Sequence, residues 1–250
     1  MGIPLSLSPR IVPVGLSGML VNFSDVLSEG ANRAALAFRA KVDDAGLDGI
    51  VETSTSLTST FIAYDPKAIT QADLRDRLSA LLVTENWATA ALPANRRLWR
   101  IPAAFGGDQH GPQLAEAAAL AGISPSKAME EICATTLRVM TIGFAPGQPY
   151  LGSLPPNWDI PRQTGLTKAV PVGAITVAIR QIVLFSTTSP TGWRQVGQCA
   201  FRAFRPEAVH PFALTPGDEI RFETVSAEDM AAIRARNDGG LGGAVAEPLI

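Results

Sequence analysis

Hydrophobic and polar positions fall into two textures along the chain. Residues 11–23 read as a strand pair or one bent strand, closing on Met19-Leu20-Val21-Asn22-Phe23. From Glu29 to Ala45 the apolar residues sit at Ala31, Ala34, Ala35, Phe38 and Val42, the spacing of one helix face, and Gly46 is placed to stop the helix. Residues 50–55 and 59–64 are rich in β-branched and aromatic residues, and Asp65-Pro66 closes the second run. Thr70, followed three residues later by Asp73, opens another helix with Leu74, Leu78, Leu81 and Leu82 on one face. Residues 98–104 return to strand character. The order β-α-β-β-α-β predicts a ferredoxin-like split βαβ subdomain over residues 1–105.

After Phe105 the pattern shortens. A turn-rich link, Gly106-Gly107-Asp108-Gln109-His110-Gly111-Pro112, leads into a short alanine-rich helix over 113–121. Ser124-Pro125 then caps a second helix that runs to about Cys133. The clearest strands beyond it are 138–143, 174–179, 181–186, 193–198 and 219–223, punctuated by glycine and proline. Many short strands of this kind predict a barrel or sandwich over 106–226. Residues 227–250 read as a short helix and a flexible glycine-rich tail around Asn237-Asp238-Gly239-Gly240-Leu241-Gly242-Gly243. The expected fold class is α+β.

Composition narrows the function classes. At 250 residues and 26.3 kDa, with 46% hydrophobic and 18% charged residues, the chain can bury a real core in one large or two modest domains. A net charge of −2 argues against nucleic acid or a membrane surface as partner, because both call for a basic excess. The two cysteines, Cys133 and Cys199, and the two histidines, His110 and His210, form no metal-ligand spacing, so no metal is expected. Cysteine count alone permits a disulfide, while its low level fits a reducing cytosol. The first ten residues lack a basic region followed by an apolar run, and no stretch reaches the ~20 apolar residues of a membrane span, so a cytoplasmic location is expected.

Gly143-Phe-Ala-Pro-Gly-Gln-Pro-Tyr-Leu-Gly152 is the segment richest in candidate chemistry. Proline restricts its backbone and glycine permits unusual angles, while Phe144, Tyr150 and Leu151 keep it apolar. Such a loop either walls a pocket, with Phe144, Tyr150 and the backbone amides near Gly147 facing a ligand, or serves as a rigid connector at a barrel corner. Arg162, Lys168, Arg180, Arg194 and Arg202 supply cations for an anion or carboxylate, and Arg162 leads because Ile160-Pro161 orients it just after the loop. Both histidines read as solvent-facing loop residues, Cys133 as a small buried hydrophobe, and Asp108, Asp218 and Glu219 as turn acids. No nucleophile elbow or glycine-rich phosphate loop is present.

Several ordered motifs resemble one known family. They are Arg100-Ile101-Pro102, Gly106-Gly107, Gly111-Pro112, the 143–152 loop, Pro161-Arg162, Val170-Pro171-x-Gly173, Ser189-Pro190-x-Gly192-Trp193 and Pro216-Gly217-Asp218. Leu20-Val21-x-Phe23, Gly49-Ile50-Val51-Glu52 and Tyr64-Asp65-Pro66 extend the match into the N-terminal half. The chain is similar to the B-type subunits of the prokaryotic 5-oxoprolinase, also known as allophanate hydrolase subunit 1. That family includes a histidine-kinase inhibitor and part of the carboxyltransferase domain of urea carboxylase. The resemblance implies an N-terminal ferredoxin-like subdomain followed by a cyclophilin-like β-barrel. It also implies ATP-dependent opening of 5-oxoproline to glutamate, carried out with a homologous-looking C-type subunit and a separate A-type one, ATP being bound with or by those partners. Arg162 is then the catalytic candidate, holding a carboxylate or acyl phosphate with the 147–152 backbone. Phe144, Gly147, Gln148, Tyr150, Gly152 and Lys168 are the substrate-binding candidates.

Departures from the family pattern mark a divergent member. The loop's second aromatic is Gln148, a histidine of the preceding helix aligns with Ile132, and a tyrosine of the following strand with Leu137. A second Pro-Arg pair falls on Leu166-Thr167, with Lys168 beside it, and an aspartate before leucine is Gln113. Two rival functions follow from the same resemblance. One is a carboxyltransferase half-site of a biotin-dependent, urea carboxylase-like enzyme, although the chain has no Met-Lys-Met biotinyl motif. The other is a non-enzymatic inhibitor that takes a proline-containing segment near Phe144 and Tyr150.

Overall fold

A computed structural model describes residues 7–236 and 238–249 of the chain. Residues 1–6, read above for a secretory signal, and Asn237 in the glycine-rich tail lie outside the described residues. The chain divides into two compact units, one up to residue 94 and one from residue 95.

The first unit contains β1 (Arg10–Val14), β2 (Gly18–Asn22), α1 (Glu29–Asp44), β3 (Ile50–Ser56), β4 (Ser59–Tyr64) and α2 (Gln71–Leu82). Both helices begin where local chemistry dictates. The Ser28 hydroxyl accepts from the Ala31 amide, and Thr70 accepts from the Asp73 amide while its hydroxyl donates to the Asp73 carboxylate. Ala31, Ala34, Ala35, Phe38 and Val42 of α1 are all buried, as their spacing predicts. In the core of this unit Phe38 meets Phe23 and Trp87 edge-on at 5.6 and 5.1 Å, and Phe23 and Trp87 lie tilted at 6.5 Å.

The four strands form one sheet in the order β1-β2-β4-β3. This is the ferredoxin-like arrangement with one correction. The edge beside β2 is filled by β1, through a tight hairpin turning at Gly15, and not by the strand that follows α2. Expecting residues 98–104 in the first subdomain was therefore wrong, and the boundary at 105 moves to 94/95. That strand, β5 (Arg97–Phe105), lies in the second unit because both of its edges are paired there.

The second unit continues with α3 (Gly107–His110), α4 (Leu114–Leu120), α5 (Pro125–Ala134), β6 (Leu137–Ile142), β7 (Pro149–Gly152), β8 (Thr167–Val170) and β9 (Ala174–Ala178). It ends with β10 (Gln181–Leu184), β11 (Ser189–Thr191), β12 (Arg194–Cys199), β13 (Glu219–Thr224), α6 (Ala227–Ala235) and β14 (Val245–Pro248). Strands pair in the order β12-β9-β10-β7-β6-β13-β5, and β5 pairs back with β12. The result is a closed seven-stranded, cyclophilin-like barrel, which leaves no free edge around its circumference. Closure runs through β5, parallel to β13 on one side and antiparallel to β12 on the other. Trp158, Phe201 and Phe222 fill much of the interior, and α4 and α5 add Ala117, Ala118, Ala128 and Ile132 to the same core. A smaller apolar cluster of Val170, Ala174, Ala178, Val183, Phe185 and Trp193 forms separately, with Tyr150 packed against it.

The tail read as flexible is structured over its described part. β14 pairs antiparallel with the first half of β5, and the Asp238 carboxylate accepts from the amides of Gly242 and Gly243. Glycine supplies the positive φ angles this turn needs at 239, 240, 242 and 243. No helix among the described residues is long and apolar enough to cross a membrane.

Candidate functional site

The 143–148 segment is the tip of the β6–β7 hairpin. The Gly143 amide donates to the Gln148 carbonyl at 3.0 Å, and the Gln148 amide donates to the Ala145 carbonyl at 3.1 Å. Phe144 (φ +71°) and Gly147 (φ +69°) adopt left-handed backbone, which bends the tip. A side chain at Gly147 would press on the Phe204 Cβ and the Ala203 carbonyl, so glycine permits the tip to lie against the 203–204 segment. The hairpin thus is a rigid connector and a pocket wall at once.

A cavity of about 290 Å³ opens between this tip, the 162–166 segment and the turn from β11 into β12. Phe144, Gln148 and Tyr150 line it from the hairpin, and Val183 and Phe185 from β10 and the residue following it. The other wall carries Arg162, Gln163, Leu166 and Trp193. The Tyr150 ring meets Trp193 edge-on at 6.2 Å.

Arg162 is exposed, and its guanidinium carbon lies 5.1 Å from the centre of the Trp193 ring. It has no ion-pair or hydrogen-bond partner among the described residues. Its backbone, in contrast, is clamped. The side chain of Arg194 donates to the Pro161 carbonyl at 2.6 Å, and the Gln163 amide donates to the Gly192 carbonyl at 2.7 Å. Arg194 is itself only 8% exposed and is paired with Glu116 at 2.7 Å. The arginine pair therefore divides its work: Arg194 fixes the chain, and Arg162 presents a free planar fork beside an aromatic face.

The neutral polar groups are unequally committed. Gln163 is saturated: its carbonyl accepts from Gln113 Nε2 at 2.6 Å, and its amide donates to the Trp193 carbonyl at 3.0 Å and the Thr167 hydroxyl at 3.3 Å. Gln113 in turn accepts from the Gln195 amide at 3.0 Å, and Gln195 donates to the His110 carbonyl at 2.9 Å. Gln148 differs. It is 1% exposed, lines the cavity, and its Oε1 has no hydrogen-bond partner.

Of the residues singled out from sequence, Arg162, Phe144, Gln148 and Tyr150 come together around this cavity. Gly147 and Gly152 shape the hairpin without lining it; Gly152 is held in the ladder between Arg138 and Gln181. Lys168 is exposed on β8, outside the cavity lining. Arg180 is spent on the Leu154 carbonyl and Arg202 on Glu207. Sequence reasoning missed Gln163, Leu166, Val183 and Phe185 as lining residues, and used Trp193 only as part of a motif. The proline-glycine-tryptophan turn was the available signal for that wall.

Three further expectations change. His110 is buried on α3 and not solvent-facing, and burial first, then the charge of Arg234, holds its imidazole below the usual range. Asp218 is a fully buried carboxylate and not a plain turn acid. It accepts from Arg97 Nη2 at 2.7 Å, the Arg97 amide at 2.9 Å, Trp99 Nε1 at 3.2 Å and the Thr215 amide at 3.1 Å. Cys133 is only half-buried, its thiol 3.2 Å from the Thr224 hydroxyl, and Cys199 is the enclosed cysteine, its thiol pushed up to about 12 by burial. Both cysteines are free. Among the described residues no group of three His, Cys, Asp or Glu side chains is placed to hold a metal ion.

Comparison with known proteins fits this architecture. The family model "Carboxyltransferase domain, subdomain C and D" matches residues 9–214. The chain belongs to that family. Within it, the chain is a divergent relative of the 5-oxoprolinase B subunits. It is 27% identical to the 5-oxoprolinase B subunit of Bacillus subtilis over 243 residues, covering 92% of this chain and 98% of that one. It is 30% identical to the protein of the same name from Haemophilus influenzae over 220 residues, covering 85% and 96% of the two chains. The crystal structure of the Kluyveromyces lactis urea amidolyase superposes with a TM-score of 0.72 at 18% identity, over 99% of this chain. Only 17% of that protein's length is matched, and the likeness is one of carboxyltransferase-domain fold.

Proposed function

We propose that this chain is the B-type subunit of an ATP-dependent, ring-opening amidohydrolase of the 5-oxoprolinase kind, working in the cytoplasm with a C-type subunit and a separate A-type one. One observation carries the reading: a guanidinium without a partner, supported by Trp193, at the mouth of a cavity with largely apolar walls. A small acid satisfies both features. Its carboxylate takes two parallel hydrogen bonds from Arg162, and its ring packs on Trp193, Tyr150 and Phe185. Held by the carboxylate, the substrate offers its amide carbonyl in a fixed orientation, which is the entropic part of catalysis. The names of the 5-oxoprolinase relatives support the same substrate.

ATP is assigned to the assembly and not to this cavity. Arg162 is the one cation lining it among the described residues, and a triphosphate calls for several cations or a glycine-rich phosphate loop. The carboxyltransferase family description favours a second reading, a half-site for transfer of a carboxyl group to a urea-like amide.

The test is reconstitution. The chain is co-expressed with the proteins encoded beside its gene, and the purified complex is given 5-oxoproline, allophanate, or urea with carboxybiotin. ATP-dependent release of glutamate from 5-oxoproline supports the proposal. Carboxylation of urea without glutamate release moves the assignment to the second reading, and no turnover of any substrate overturns both.

A further inference from the structure

Phe144 and Leu166 are large apolar side chains left in the open at the mouth of the cavity. They are 77% and 70% exposed, yet both line it, Phe144 from the hairpin and Leu166 from the other wall. Phe144 is also held at φ +71°, a left-handed conformation that disfavours bulky residues. The hairpin tip does not need that side chain, because backbone hydrogen bonds among Gly143, Ala145 and Gln148 already close it. A single exposed apolar residue calls for no explanation, but a strained one across a cavity from a second does. The buried Val183, Phe185 and Trp193 continue the apolar lining, and Arg162 is the one charged group in it. At about 290 Å³ the cavity approaches the ~300 Å³ at which sites for drug-sized ligands begin, whereas 5-oxoproline has only about nine non-hydrogen atoms.

We propose that the cavity takes a monocarboxylic acid whose apolar body is larger than that of 5-oxoproline, with an aromatic or branched aliphatic group lying between Phe144 and Leu166. Arg162 receives the carboxylate. The apolar body covers the two exposed side chains, and water leaves both surfaces. A second carboxylate on the ligand would be desolvated against these walls without a cation to receive it, so a compact diacid is disfavoured. The inference rests on the reading of Arg162 as the carboxylate receptor and enlarges the acid that it receives.

The experiment titrates 5-oxoproline and its N-benzyl and 4-benzyl derivatives, which send the added ring in two directions, into the assembled complex without ATP and follows binding by calorimetry. At least one benzyl acid is expected to bind roughly tenfold more tightly than 5-oxoproline. A double variant, Phe144→Gly with Leu166→Ala, is expected to remove that gain, glycine being chosen because it keeps the left-handed backbone. Arg162→Ala is expected to weaken all three acids. If 5-oxoproline binds at least as tightly as both benzyl acids, with Arg162 still required, the inference alone is overturned, and the apolar rim is left to a partner subunit. That comparison uses the wild-type complex, so it stands even if the double variant fails to fold. A gain retained in a folded double variant overturns the roles of Phe144 and Leu166. Binding of none of the three acids overturns the carboxylate-receptor reading and the inference with it.

Discussion

The guanidinium carbon of Arg162 stands 5.1 Å from the centre of the Trp193 ring, and Trp193 is in turn met edge-on by Tyr150 at 6.2 Å. An aromatic face attracts a cation without neutralising it or occupying its N–H groups. Arg162 is therefore held in place and still able to grip an anion with its fork. Arg162→Lys keeps the charge and loses the two parallel bonds, so ligand affinity is expected to fall roughly tenfold. Because the side chain is exposed, the unfolding free energy is expected to move by less than about 0.5 kcal/mol. Calorimetric titration and urea unfolding of the same variant measure the two effects separately.

Gly147→Ala tests whether the hairpin tip is a shaped wall. At φ +69° an added Cβ would sit 2.9 Å from the Phe204 Cβ and 3.1 Å from the Ala203 carbonyl oxygen. Backbone strain and this crowding are expected to cost about 1–3 kcal/mol and to shift Phe144 and Gln148 at the cavity. A lowered urea midpoint together with weaker ligand binding is the expected pair of results.

The fully buried Asp218 carboxylate, in the turn before β13, accepts three hydrogen bonds from Arg97 and Trp99 at the start of β5 and a fourth from Thr215 of its own turn. Asp218→Ala strands the donors of Arg97, Trp99 and Thr215 together. A loss of about 3 kcal/mol is expected, read as a lower melting temperature of the second unit's transition.

His110 predicts a pH dependence. Its folded value lies below the ordinary 6.5, chiefly through burial. Below that pH the unfolded chain takes up the proton before the folded one, so the unfolded state binds more protons there. The contribution is thus fully present above pH 6.5 and is lost as pH falls through the folded value. In urea unfolding at about pH 7.5 and pH 5.5, a His110→Gln variant is expected to lose less stability on acidification than the wild type.

The parts of the fold that local chemistry decides were legible in the chain. Thr70 with Asp73 and Ser124 with Pro125 mark helix starts because a cap is a relation between neighbours. Which sheet β5 joins depends on the β1 hairpin, more than eighty residues upstream, and no local pattern records that β1 fills the edge beside β2. Charge type was equally silent about use. Position singled out Arg162, but nothing local recorded that Arg194 is consumed by Glu116 and the Pro161 carbonyl, or that Lys168 lies outside the cavity lining while Arg162 is left unpaired at its mouth. The 143–152 loop was legible as shaped, whereas the orphaned Gln148 carbonyl is a property of packing and emerges only in three dimensions.

The central claim, that the cavity beside Arg162 receives the acid substrate, is tested most directly by kcat/KM for ATP-dependent ring opening in complexes carrying Arg162→Ala or Lys168→Ala. The account predicts a loss of at least about tenfold for Arg162→Ala, with assembly intact, and little change for Lys168→Ala. Equal activity of the Arg162→Ala complex and the wild type, or a larger loss from Lys168→Ala, would contradict it.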